Sequence, residues 1–212
     1  MENKKLRTIY EDEDLLVIDK PAGINADDIP KRIHRLDKDT SGVFLIAKND
    51  KALEFFQKEF QEKMVEKKYI ALVVGEIKNN EGVIETLLGR SPNDKRKQKV
   101  YFLNDPKAEG KRKAITKYKI LQKFKDYTLM EVKIETGRKH QIRAHFAYLK
   151  NPIAGDKMYG FKNQSCPKEL KRQFLHANQI KIKLPSGKRK IFKSKLPEEL
   201  KKILKKLKKY DH

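Results

Sequence analysis

Nine consecutive residues, His34-Arg35-Leu36-Asp37-Lys38-Asp39-Thr40-Ser41-Gly42, set a carboxylate among cations and follow it with a small, turn-forming Thr-Ser-Gly. A carboxylate can act as nucleophile, as base or as a stabiliser of developing charge. For any of these it must stay ionised and aimed. Arginine does this best, because its planar fork pairs with a carboxylate and keeps its charge. The candidate partner is Arg143, in Gly137-Arg138-Lys139-His140-Gln141-Ile142-Arg143-Ala144-His145. A structural salt bridge is the competing reading of that pair. Asp39 stands two residues from Asp37, so in an extended segment it points elsewhere and reads as part of a turn. The same spacing argues against a glycosidase-type hydrolase, whose carboxylates stand ~5–9.5 Å apart across a sugar. His34 reads as a loop-orienting residue or a phosphate contact, and Thr40 to Gly42 as shapers of the loop. His140 and His145 are five residues apart, which is wrong for one helical face. The histidines show no zinc-type spacing with Cys166, so no metal site is expected.

These residues need elements to hold them. Leu15-Leu16-Val17-Ile18 reads as a buried strand ending in the turn Lys20-Pro21-Ala22-Gly23. A second strand, over 43–47, starts directly after Gly42. Asn49 or Asp50 then caps a helix whose apolar positions are Ala52, Leu53, Phe56 and Phe60. Further strands are predicted over 69–74, 114–121 and 127–134. The last of these alternates Met130, Val132 and Ile134 with charged neighbours. Residues 89–113 read as a mobile, electropositive loop or hairpin interrupted by a short strand over 100–103. A helix is expected from Thr136-Gly137 to about Leu149, stopped by Asn151-Pro152; Gln141 and His145 would share its polar side and Ile142 its core side. Ile180, Ile182 and Leu184 begin a hairpin that turns at Pro185-Ser186-Gly187. A basic helix over about 197–209 closes the chain, opened by Pro197, with Glu198 and Glu199 in its first turn. Hairpins with interspersed helices predict one α+β domain over 1–212: a largely antiparallel mixed sheet flanked by helices, with the active-site cleft across the sheet.

The 212 residues carry 51 Lys and Arg against 29 Asp and Glu, a net charge of +22 spread along the whole chain. A polyanionic partner follows, because each neutralised phosphate releases counterions and adds affinity. The single cysteine excludes an internal disulfide and suits a reducing cytoplasm. The opening residues, Met1 to Arg7, show no secretory signal pattern. No apolar stretch approaches the ~18 residues that a membrane span needs.

The segment from His34 to Gly42 resembles the signature of the RluA-type pseudouridine synthases, and Gly137 to His145 resembles their second block. Tyr10-Glu11-Asp12-Glu13-Asp14-Leu15-Leu16-Val17-Ile18-Asp19-Lys20-Pro21-Ala22-Gly23 resembles the family's opening strand and turn. Lys68-Tyr69-Ile70-Ala71-Leu72-Val73, then Pro152-Ile153-Ala154-Gly155-Asp156-Lys157-Met158-Tyr159-Gly160 and Leu175-His176-Ala177, follow in the family's order. The resemblance covers nearly the whole chain.

It implies isomerisation of uridine to pseudouridine in rRNA or tRNA, without cofactor or metal. The sequence departs from many relatives in showing no N-terminal RNA-binding appendage before the opening strand, and a cytoplasmic monomer made of the catalytic domain is expected. The family's catalytic aspartate falls on Asp37, its stacking tyrosine on Tyr69, and the arginine paired with the aspartate on Arg143. Arg35 matches the residue that enters the RNA stack when the target base flips out, a step that costs a few kcal/mol. Bond cleavage could run through an adduct on Asp37 or through elimination to a glycal, and both stay open. The expected RNA contacts are Arg35, His34, Arg138, Lys139, His140, Lys95 and Arg96. The stretch between Gly23 and His34 is shorter than usual, so the choice of RNA falls to the catalytic domain and its basic loop around residues 95–99. A non-catalytic basic RNA-binding or ribosome-assembly protein is the alternative; it accounts for the charge but not for the joint presence of Asp37, Tyr69 and Arg143.

Overall fold

Apolar residues at alternate positions, cut by Gly and Pro, divide most of the chain into strands. The computed structural model describes residues 6–102 and 104–209. In chain order the elements are β1 Arg7–Glu11, β2 Leu15–Lys20, a 3-10 turn Ala26–Asp28, β3 Ser41–Ala47, α1 Asp50–Gln61, β4 Glu66–Val74, β5 Glu81–Arg90, β6 Gln98–Tyr101, β7 Arg112–Lys123, β8 Tyr127–Ile134, α2 Gln141–Tyr148, β9 Leu175–Lys183, β10 Arg189–Lys193 and α3 Glu198–Lys206. Ten strands and three α-helices among the described residues make the expected α+β fold, with a mixed, open sheet. The chain falls into two compact units, the first ending at Tyr69 and resuming over Leu175–Leu196, the second holding Ile70–Phe174 and the chain from Pro197 onward.

In the first unit β2 pairs antiparallel with β1 and, without a break in register, with β3 from Leu15↔Ala47 to Lys20↔Gly42. β3 meets β9 in parallel at Ser41↔His176 and Gly42↔Ala177, and β9 returns through a hairpin to β10. The core combines Leu15, Val17, Val43 and Leu45 with Ile180 and Ile182 and with Ala52 and Phe56 of α1. The Asn49 side chain caps α1 by accepting from the Ala52 amide at 2.8 Å.

In the second unit β5, β7 and β8 form an antiparallel meander, and β6 adds to the outer side of β5. Five expectations shift here. β5 was hidden in the sequence by Gly82 and by Thr86, which turns inward with Ile84 and Leu88. At Gly82 a Cβ would lie 2.6 Å from the Tyr118 hydroxyl, so a larger residue would displace that ring. β6 begins at Gln98 rather than 100, and Leu103 lies outside the described residues. α2 begins at Gln141, not at Thr136. The reason is the Gln141 carboxamide, whose Oε1 accepts from Thr136 Oγ1 (2.7 Å) and from the Arg138 amide (3.0 Å), so the turn before the helix is closed by a side chain. α2 has no polar face open to water: Gln141 to Phe146 are all buried. α3 ends at Lys206, with Leu200 and Ile203 buried and Leu204 and Leu207 half-buried.

Candidate active site

In the first unit Asp37 sits on the connection that leads into β3. Residues just before it run beside that strand: the Ile33 amide donates to Leu45 O at 3.2 Å, and the Leu45 amide donates to His34 Nε2 at 3.1 Å. The His34 ring stacks on Phe60 (5.1 Å between centroids, 10°) and tilts against Phe44. Burial, aided by the charge of Lys67, pushes its pKa down to about 3. One ring nitrogen is committed to the backbone of β3, which ties His34 to the loop that carries Asp37. Asp37 to Thr40 then form a tight turn, closed by the Thr40 amide on Asp37 O at 2.9 Å. Asp37 is half-buried, while Arg35 and Asp39 are exposed.

That turn is held from behind. The carbonyl of Lys38 accepts from the Gly23 amide (2.9 Å) and from Lys20 Nζ (3.2 Å). Lys20 is fully buried, and its ammonium also donates to Pro21 O (3.1 Å) and Ile24 O (2.8 Å). The Lys-Pro-Ala-Gly turn seen in the sequence thus grips the residue next to Asp37, a role that residue type alone could not reveal. On the other side Ser41 Oγ lies 2.9 Å from His176 Nδ1. His176 Nε2 reaches Ser194 O at 3.2 Å, which makes Nε2 the protonated nitrogen and Ser41 the donor to Nδ1. Ser194 Oγ donates onward to Asp19 Oδ1 at 2.7 Å. Gly42 has φ +121°, and a Cβ there would stand 2.2 Å from Ala177 O, so only glycine lets β3 approach β9 this closely. Tyr69, on β4, is buried, and its hydroxyl pKa is raised by burial and by the charge of Asp37. Tyr69 is therefore a neutral phenol within electrostatic reach of Asp37.

In the second unit Arg143 is buried on α2. Its Nε and Nη2 donate to Asp156 Oδ2 and Oδ1 at 2.6 and 2.8 Å, a two-pronged pair. Asp156 Oδ1 also accepts from the amides of Met158 (2.9 Å) and Tyr159 (3.0 Å). Burial pushes the Asp156 carboxyl pKa up, but Arg143 and the two amides outweigh it and leave the pKa lowered. The Tyr159 ring lies 5.1 Å from the guanidinium carbon. Asp156, absent from the expected site, fixes the plane of Arg143; a guanidinium carries five N–H donors and Asp156 takes two of them.

The other expected cations differ in how they are held. His140, in left-handed conformation before α2, has Nδ1 3.0 Å from the Tyr159 hydroxyl, which accepts from the Gln98 amide at 2.6 Å. Arg138 Nε donates to Lys113 O at 3.0 Å, whereas Lys139 is exposed. Arg96 grips Asp94 through Nε and Nη2, both at 2.9 Å, and this contact holds the Asp94 carboxyl at about 2. Arg96 and Lys95 are both exposed. His145 is buried between Thr116 Oγ1 (2.8 Å) and Thr86 Oγ1 (3.0 Å), and burial pushes it down to about 4. Among the described residues no group of three or more His, Cys, Asp or Glu side chains is placed to hold a metal ion, and no helix is long and apolar enough to cross a membrane.

Residues 25–148, more than half of the chain, match the family described as RNA pseudouridylate synthase. An uncharacterised RNA pseudouridine synthase of Aquifex aeolicus is 40% identical over 80% of this chain and 60% of its own length. The ribosomal large subunit pseudouridine synthase D of Borreliella burgdorferi is 35% identical over 92% of this chain and 67% of its own. The solved structure of human RNA pseudouridylate synthase domain containing 1 superposes with a TM-score of 0.78 over 98% of both chains at 23% identity, a likeness of fold.

Proposed function

Since the chain belongs to the RNA pseudouridylate synthase family, the isomerases that convert uridine to pseudouridine in RNA, we propose that it isomerises uridine in rRNA or tRNA with Asp37 as the catalytic carboxylate. The observation that carries this reading is the bracing of the turn that bears one half-buried carboxylate: Lys20 and the Gly23 amide on Lys38 O, the Thr40 amide on the Asp37 backbone carbonyl, and Ser41 on His176. Rigid placement of a reacting group is what a chemical step requires, and a phosphate-binding surface does not require it of a carboxylate.

The division of labour follows from the environments. Tyr69 offers the flipped uracil an aromatic face and a neutral hydroxyl. Arg143, braced by Asp156, supplies the cation that the family resemblance pairs with the aspartate. Exposed Arg35 fills the space that the base vacates, a flat cation stacking on the neighbouring bases. Arg138, Lys139 and Lys95 add phosphate contacts. Asp37 acts by forming an adduct or by promoting elimination, after which uracil rejoins the ribose through carbon 5. The Borreliella relative's name favours ribosomal RNA as the substrate. The lone Cys166 fits a reducing cytoplasm.

Mapping of pseudouridines across all RNA from strains with and without the gene tests the proposal. The expected result is the loss of one or more pseudouridines that a plasmid copy restores and an Asp37→Asn copy does not. An unchanged map would favour the non-catalytic RNA-binding alternative.

A further inference from the structure

The outer edge of the second unit carries aromatic surface that the catalytic reading does not use. β6 ends the strand order, and Phe102 directly follows it. Phe102 is 52% exposed and Tyr148, at the end of α2, is 41% exposed, yet their rings meet edge to face at 5.8 Å. Single exposed apolar residues need no explanation. Two aromatic rings from different elements, leaning together in water beside an open strand edge, form a surface that invites association.

Cations are held around this edge. Lys99 and Lys111 each place Nζ 5.3 Å from the ring centroid of Tyr101, whose side chain alternates with that of Phe102 and so lies on the other face of the β6 edge. Room for the Lys111 stem comes from Gly89, where a Cβ would stand 2.2 Å from Lys111 Cδ. Two residues beyond Tyr148, Lys150 lies 6.0 Å from the ring of Phe161, itself 45% exposed. An apolar partner would gain nothing from these charges, and a duplex would present no free base faces. Unpaired RNA supplies both missing complements: flat bases for the rings and phosphates for the lysines.

We propose that the β6 edge, with Phe102 and Tyr148 on one face, Lys99 and Lys111 on the other and Lys150 just beyond Tyr148, is an auxiliary site along which unpaired RNA stacks its bases on the rings and sets its phosphates against the lysines, directing the enzyme to single-stranded or looped regions. This rests on the RNA reading above and adds the class of RNA that the chain selects.

The chain contains no tryptophan, so Phe102→Trp installs a unique fluorophore at the site. The full chain is titrated with a short labelled oligouridylate, following tryptophan fluorescence and label anisotropy together, and then with a blunt RNA duplex of equal length. Expected is a saturable quench that tracks binding of the oligouridylate and is absent with duplex. Expected also is a roughly tenfold weaker affinity in Phe102→Ala/Tyr148→Ala, with Phe102→Tyr close to the parent. Circular dichroism checks that the double variant is folded; should it not fold, the tryptophan signal alone decides. Binding without a quench overturns the inference and leaves the RNA reading standing, as does an equal quench by duplex. A quench that grows with protein concentration without RNA makes the edge a self-association surface and also overturns it. Absence of binding to every RNA overturns the RNA reading and this site with it.

Discussion

Replacement of Asp156 by asparagine removes one charge and almost no volume, which isolates the electrostatic brace on Arg143. The Asp156 side chain is fully buried and Arg143 nearly so. Its carboxylate accepts four hydrogen bonds, two from Arg143 at 2.6 and 2.8 Å and two from the Met158 and Tyr159 amides at 2.9 and 3.0 Å. An asparagine that keeps Oδ1 on the amides and Nη2 turns an NH2 group towards Arg143 Nε, so a donor faces a donor. The guanidinium also loses the carboxylate that balances it in a buried setting. Breaking a buried pair by removing one partner costs ~3–5 kcal/mol. With a urea m-value of ~2 kcal/mol/M, that is a fall of roughly 2 M in the unfolding midpoint. Urea denaturation followed by circular dichroism measures it. Arg143→Met/Asp156→Leu, which swaps both charges for apolar side chains, should recover part of the loss. A fall under roughly 0.5 M for Asp156→Asn would refute the assignment of Asp156 as the brace.

Two further outcomes follow from the buried groups and the tight backbone contacts. His145 has a folded pKa of about 4 against its ordinary 6.5. Below pH 6.5 the unfolded chain binds a proton that the folded protein refuses, so stability falls with pH until about 4, where the folded histidine protonates too. The full span is on the order of 3 kcal/mol; His145→Gln should flatten that part of the stability–pH curve measured by urea unfolding, and an unaltered slope would count against the burial. Gly42→Ala forces a Cβ to 2.2 Å from a backbone oxygen at φ +121°, whereas Gly23→Ala, at φ +91°, meets nothing within 4 Å. The Gly23 variant should lose only the strain of ~1–3 kcal/mol and the Gly42 variant distinctly more, so equal unfolding midpoints would contradict the close β3–β9 approach.

Features written in short-range pattern were legible in the sequence. Asn49 is followed by Ala52, Phe56 and Phe60 at helical spacing, and α1 begins where that cap requires. The alternation of Met130, Val132 and Ile134 became β8 with the expected bounds. Side chains that act across the fold were not legible. Lys20 reads as the polar end of a strand until folding brings Lys38 O to its ammonium. Asp156 lies thirteen residues beyond Arg143 and outside its helix. Thr136-Gly137 looks like a helix start because local signals do not disclose that Gln141 will close the turn ahead of α2. Buried polar networks form through tertiary contacts, so the residue types that look exposed in sequence, Thr86, Thr116, Gln141 and His145, were those most easily misplaced.

Asp37 is proposed to perform the chemistry. This role is tested most directly by tritium release from RNA labelled at carbon 5 of uridine, since that carbon must lose its hydrogen when it joins the ribose. The substrate is RNA from a strain lacking the gene, with purified enzyme in excess over RNA. The unaltered protein should release tritium to water, while Asp37→Asn should release none and still bind the same RNA. Release by Asp37→Asn at the rate of the unaltered protein would exclude Asp37 as the catalytic carboxylate.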